Sequence, residues 1–240
     1  MQTTIIQSRM SGGEDLAEST SGRASTFSPV VVCLVVVNTA VFVALPIAFR
    51  GRFPYRLESL GTAWGPLVFG GQWWRLLTCS FVHFAFFHLF FNMVGLWILG
   101  TRMEQQLGKW VFLLFYLSCG LLVALSVLSL RPETASYGAS GSVVGLAGGI
   151  LVVYGSHFKS LSWGVRAKLG VVLLYSVGLV WRELSRGDLY LPHTVGLSAG
   201  LTLGSLLVFV VKTAQRRRWI FIGLALLMVI ASVCIRGHHR

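Results

Sequence analysis

Polar and apolar residues in this chain are sorted into long blocks. After a polar opening rich in Ser, Thr and Gly over residues 1–27, apolar runs occupy about 28–49, 82–101, 110–130, 140–156, 165–181, 193–211 and 219–235. Each is continuously apolar over much of a bilayer thickness, without the period-two alternation of a barrel strand, so the pattern predicts seven helices. In lipid a helix satisfies its backbone N–H and C=O groups within one segment, where no water is available to do so. The runs at 140–156 and 165–181 are short for free-standing spans, a length tolerable when neighbouring helices bury them. The connection 50–81 is long and mixes Trp, Phe, Arg, Pro and Gly, so it reads as a structured interfacial element. The expected organisation is a mobile tail over 1–27, a six-helix membrane core over 28–211 and an extra C-terminal transmembrane helix over 219–235.

Composition supports lipid as the solvent. The 240 residues are 55% hydrophobic and 12% charged, whereas a soluble domain carries about 25% charged residues. A soluble enzyme, a fibre and a disordered chain are excluded. The net charge of +12 is scattered through the connections between apolar runs, with no basic stripe, so it signals topology and not a nucleic-acid partner. The tail and the connections after the second, fourth and sixth runs hold Arg9, Arg23, Arg102, Lys109, Lys159, Arg166, Lys168, Lys212 and Arg216 to Arg218. The short connections on the other side carry only Arg131, Arg182 and Arg186, although the long first loop adds Arg50, Arg52, Arg56 and Arg75 and the C-terminal end adds Arg236 and Arg240. The bias predicts a cytoplasmic N-terminus, and the expected location is the plasma (inner) membrane. Cys33, Cys79, Cys119 and Cys234 stand singly and read as small packing residues.

Polar groups inside an apolar span are costly and need a reason. The second run opens His83-Phe-Ala-Phe-Phe-His88-Leu-Phe-Phe-Asn92, the fourth Gly138-Ala139-Ser140-Gly141, and the sixth Pro192-His193-Thr194. His88 and Asn92 share a helical face, while His83 points elsewhere or precedes the helix. The second, fourth and sixth spans run in one direction, so His88, Asn92, Ser140 and His193 fall at similar depth. Gly141, Gly145 and Gly149 face a matching series of Gly196, Gly200 and Gly204, each a ladder that lets helix backbones approach. Together these place Ser140 beside His193.

Such a cluster supports acyl transfer: His193 as base, Ser140 Oγ as nucleophile, and the Ser140 N–H at a helix N-terminus as oxyanion donor, with His88 and Asn92 completing the hole. No acid accompanies His193 in its own span, so a dyad is expected. His83 and His88 lie on different faces, which disfavours a bis-histidine haem site.

Trp74-Arg75, His83-xxxx-His88-xxx-Asn92, Gly100-xxx-Glu104-xxx-Gly108, Gly138-Ala139-Ser140-Gly141 and His193-xx-Gly196 occur in this order, and the set resembles the rhomboid intramembrane serine proteases over roughly residues 60–205. The resemblance implies a rhomboid-like six-helix bundle that cleaves transmembrane segments of other proteins in the lipid bilayer, without a cofactor. It assigns Ser140 and His193 the same roles, and places Trp74 and Arg75 in a structural first loop. Glu104 with Arg102 would stabilise the cytoplasmic end of the second span, and His83 would support the loop. Family members commonly carry an aromatic residue four after the serine that stacks on the histidine. Here Val144 stands there, which leaves His193 less supported. A catalytically silent scaffold or chaperone on the same fold is the alternative.

Overall fold

A computed structural model describes residues 28–48, 61–187 and 191–212. The tail, residues 50–60 of the first loop and the helix expected over 219–235 lie outside the described residues. What is described is an all-helical, polytopic bundle, whose one pair of bridged extended residues is Ala63 with Ser136.

Helix α1 (Pro29–Ala48) starts on a proline, whose fixed φ suits the first helical position. The first loop follows as two short helices, α2 (Gly65–Phe69) and α3 (Arg75–Thr78), and a 3-10 turn (Cys79–Phe81). The chain then bends by 95° into α4 (Phe86–Leu107), which carries a π-helical turn at Leu96–Gly100. Gly108, at φ +80°, reverses the chain directly into α5 (Lys109–Leu130). Then come α6 (Ser140–Gly155), α7 (Trp163–Leu184) and α8 (Pro192–Lys212).

Burial sorts these helices. The short α6 is the axis of the bundle, with 11 of its 16 residues buried. A segment too short to span lipid alone is stable there because protein surrounds it. Helix α5 packs beside it through Phe112, Phe115, Tyr116 and Cys119, all fully or almost fully buried. Helix α7 is the opposite case: Val171, Leu174, Tyr175 and Trp181 are exposed, as lipid-facing residues are, and only Leu169, Ser176 and Glu183 are buried.

The first loop is stitched to the α5–α6 connection. Ala63 and Ser136 exchange backbone bonds of 3.0 and 2.9 Å, the Gly65 N–H donates to the Pro132 carbonyl at 2.8 Å, and the Gly138 N–H to the Cys79 carbonyl at 2.9 Å. Arg75 is buried in this element, its Nε donating to Gln72 Oε1 at 2.7 Å and its Nη1 to the Thr62 carbonyl at 3.1 Å. Trp73 and Trp74 stay exposed, as expected of rings at a membrane interface. Glu104 is buried and accepts the Val30 and Val31 N–H groups at 3.2 and 3.0 Å. It therefore caps the first turn of α1, where the buried Ser28 Oγ takes none of these amides, and ties α4 to α1. Arg102 beside it is exposed.

Candidate active site

Helices α6 and α8 meet at backbone contact. A Cβ added at Gly196 would strike the Gly141 carbonyl oxygen, one at Gly200 the Gly145 carbonyl oxygen, and one at Gly204 would lie 3.1 Å from the Gly149 Cα. Both members of each pair advance by four, so the helices are parallel and in register. With no hydrophobic drive between helices in lipid, this close approach gains its energy from dispersion along the seam. Ser140 opens α6 and His193 lies in the first turn of α8, at the same end of the seam.

The turn entering α6 needs glycine. Gly138 has φ +93°, a left-handed conformation that side chains rarely adopt, and a Cβ there would lie 2.6 Å from His88 Cε1. The His88 ring fills that space and stands edge-on to His83 with centroids 5.1 Å apart. His83 Nε2 lies 3.1 Å from Asn92 Nδ2 and accepts the Ala139 N–H at 3.3 Å. Two donors at Nε2 place its proton on Nδ1. His83 thus does more than support the loop: it holds the Asn92 amide and the residue before Ser140 together. The second Asn92 N–H remains for another acceptor.

The apolar Leu191 precedes α8 and leaves its first N–H groups without a local cap. Glu183, in the last turn of α7, supplies it. Its Oε1 accepts the His193 N–H at 2.9 Å and lies 2.6 Å from His193 Nδ1, while Oε2 accepts the Thr194 N–H at 2.9 Å and the Thr194 hydroxyl at 2.8 Å. The Glu183 side chain is 3% exposed and that of His193 17%. A carboxylate taking two backbone N–H groups is an acceptor, so Nδ1 carries the imidazole proton and Nε2 presents its lone pair.

The end at which α6 and α8 begin, the mouth of the bundle, carries Ser140, His88 and His193, each half-buried, with Asn92 and His83 buried; the His88 ring lies against Gly138 and His83 accepts the Ala139 N–H. Ser140 Oγ makes no side-chain hydrogen bond among the described residues. Such a bond commonly tightens only when substrate is bound. The absence of a carboxylate at His193, expected from its own span, is corrected by Glu183 on the preceding helix. The available signal was a single acid at the end of an apolar run, ten residues before the histidine. Flanked by Arg182 and Arg186, it carries nothing in the sequence that distinguishes it from a charge solvated at the interface. The turn that folds it back passes through Gly187, at φ +67°.

A family model described as the Rhomboid domain matches residues 70–210. Rhomboid protease GluP of Bacillus subtilis (strain 168) is 33% identical over 122 residues, covering 51% of this chain and 24% of that protein. RHOMBOID-like protein 4 of Arabidopsis thaliana is 31% identical over 236 residues, covering 86% of this chain and 59% of the relative. RHOMBOID-like protein 2 of the same plant is 29% identical over 223 residues, covering 80% and 70%. The chain thus spans under two thirds of the length of the first two. The matched region takes in the first-loop helix α3, the glycine seam and His83, His88, Asn92, Ser140, Glu183 and His193, and the chain belongs to the rhomboid family of multi-pass integral membrane proteins.

Proposed function

We propose that the protein is an intramembrane serine endopeptidase that cleaves transmembrane segments of other membrane proteins. The observation that supports this reading is the parallel glycine seam: Ser140 and His193 begin two touching helices at the same end, and His88 lies against the turn that enters α6. Ser140 Oγ attacks the scissile carbonyl as its proton passes to His193 Nε2. The tetrahedral oxyanion is met by the Ser140 N–H, at the positive end of α6, with the free Asn92 N–H and His88 adding donors. Collapse expels the amine, which takes the proton back from the imidazolium. Water then enters through the half-exposed mouth and hydrolyses the acyl-enzyme by the same relay. The reading places the protein in the plasma (inner) membrane with a cytoplasmic N-terminus, so that the mouth faces the outer side. No cofactor enters these steps.

The test is cleavage of a generic transmembrane substrate by the purified chain in liposomes. Ser140→Ala and His193→Ala should each lower turnover by at least about 10³-fold, with helical content and melting temperature retained. Cleavage at the wild-type rate by either variant would end the proposal. A folded chain that cleaves nothing and takes no fluorophosphonate label at Ser140 is the non-catalytic scaffold instead.

A further inference from the structure

We infer that Glu183 is a positioning residue of this reaction, a carboxylate on α7 that fixes the tautomer and orientation of the His193 imidazole on α8; the inference rests on the proteolytic reading above. An ionisable group buried at the end of a membrane helix is expensive and needs a partner. Capping alone is a weak explanation: a Ser, Thr or Asp at position 191 would serve the same amides locally. The chain instead has Leu191 and brings an acid from another helix. Of the four contacts that acid makes among the described residues, the shortest is to the ring, 2.6 Å from Oε1 to Nδ1.

The remaining bonds fix the acid itself. Oε1 on the His193 N–H and Oε2 on the Thr194 N–H and hydroxyl tie both oxygens to the backbone that carries the imidazole. One carboxylate thereby sets where residue 193 sits and which ring nitrogen holds the proton. When Nε2 takes the Ser140 proton, the Nδ1 proton stays where it is and the imidazolium forms against a carboxylate already in place. Val144, 4% exposed, offers the ring neither an aromatic face nor a hydrogen bond. Orientation of the base therefore falls to Glu183.

Glu183→Gln keeps size and one acceptor oxygen, but an amide N–H turned to Nδ1 stabilises the tautomer whose Nε2 is already protonated. Turnover should fall by as much as about 10⁴-fold, with KM near that of the wild type, and fluorophosphonate labelling of Ser140 should slow in parallel. Proton NMR of the [15N]-histidine protein should show a far-downfield Nδ1–H resonance in the wild type and in Ser140→Ala that is missing from Glu183→Gln. Thr194→Val loses one bond of the cap but leaves the ring contact and both backbone bonds, and should lower kcat far less than Glu183→Gln while the resonance persists. If glutamine destabilises α8, Glu183→Asp, which retains an acceptor-only carboxylate, should recover part of the rate. Wild-type kcat with an unchanged imidazole resonance in Glu183→Gln would overturn the inference. So would a loss in Thr194→Val as large as in Glu183→Gln, since the cap and not the ring would then be what matters. Failure of the protease reading shows separately, as wild-type cleavage by Ser140→Ala, and leaves the resonance comparison standing as a test of the contact.

Discussion

Gly138 shows how closely single residues are fitted around the mouth. Its φ of +93° costs an L-residue about 1–2 kcal/mol, and the space beside its Cα is taken by the His88 ring. Gly138→Ala is therefore expected to push His88 aside and to shift the Ser140 N–H that follows two residues later. Two displaced oxyanion donors should lower kcat by about 10²-fold or more, while thermal unfolding falls by only a few degrees. Equal losses in stability and turnover would mean that the glycine serves the fold and not the site. At this scale the sequence was readable where a residue type betrays its cost. Glycine before Ser140, and His and Asn inside an apolar run, have no cheap explanation in lipid. Glu183 escaped because a carboxylate at a span end does have one, solvation at the interface, and only its bonds to the first turn of α8 show that it turns inward. Glu104 is legible as a support at the end of its span, but its partners are backbone amides of α1, which carry no residue-type signature.

Helices follow a different logic, because their association in lipid depends on how closely backbones approach and not on expelling water. The seam between α6 and α8 is the tightest case, with Gly200 against the Gly145 carbonyl and Gly145 itself against Cys119 Sγ, 2.6 Å from where its Cβ would lie. Gly200→Val inserts three carbons where there is space for none. Relief requires α8 to move outward, at a cost of about 3 kcal/mol or more, and carries His193 away from Ser140. Loss of fluorophosphonate labelling together with a sharply lowered melting temperature is the expected outcome; a stable, labelled variant would show that the seam is looser than drawn. The spacing of these glycines made the pairing legible in advance. The bend of 95° between α3 and α4 was not, since it depends on backbone bonds from Ala63, Gly65 and Cys79 to the α5–α6 connection, between residues far apart in sequence.

For the whole molecule, the parallel course of α6 and α8 fixes which connections share a side. The α5–α6 connection and the α7–α8 turn must emerge on the face that carries the mouth, and the α6–α7 turn on the other. Basic residues divide the same way: Lys159, Arg166 and Lys168 cluster around the α6–α7 turn, while the mouth side has Glu133 and Glu183 among its arginines. An orientation set by the positive-inside bias puts the α6–α7 turn in the cytoplasm. Glu133, Lys159 and Arg186 are all exposed, so single cysteines at these positions, in a chain without its native cysteines, report the arrangement to a membrane-impermeant maleimide applied to intact cells. Glu133→Cys and Arg186→Cys should label together from outside, and Lys159→Cys only after permeabilisation. Labelling of Lys159→Cys alone would invert the orientation yet leave the bundle intact. Glu133→Cys and Arg186→Cys labelling from opposite sides would contradict the bundle itself, because α6 and α8 would no longer begin at one depth and Ser140 would lose its base.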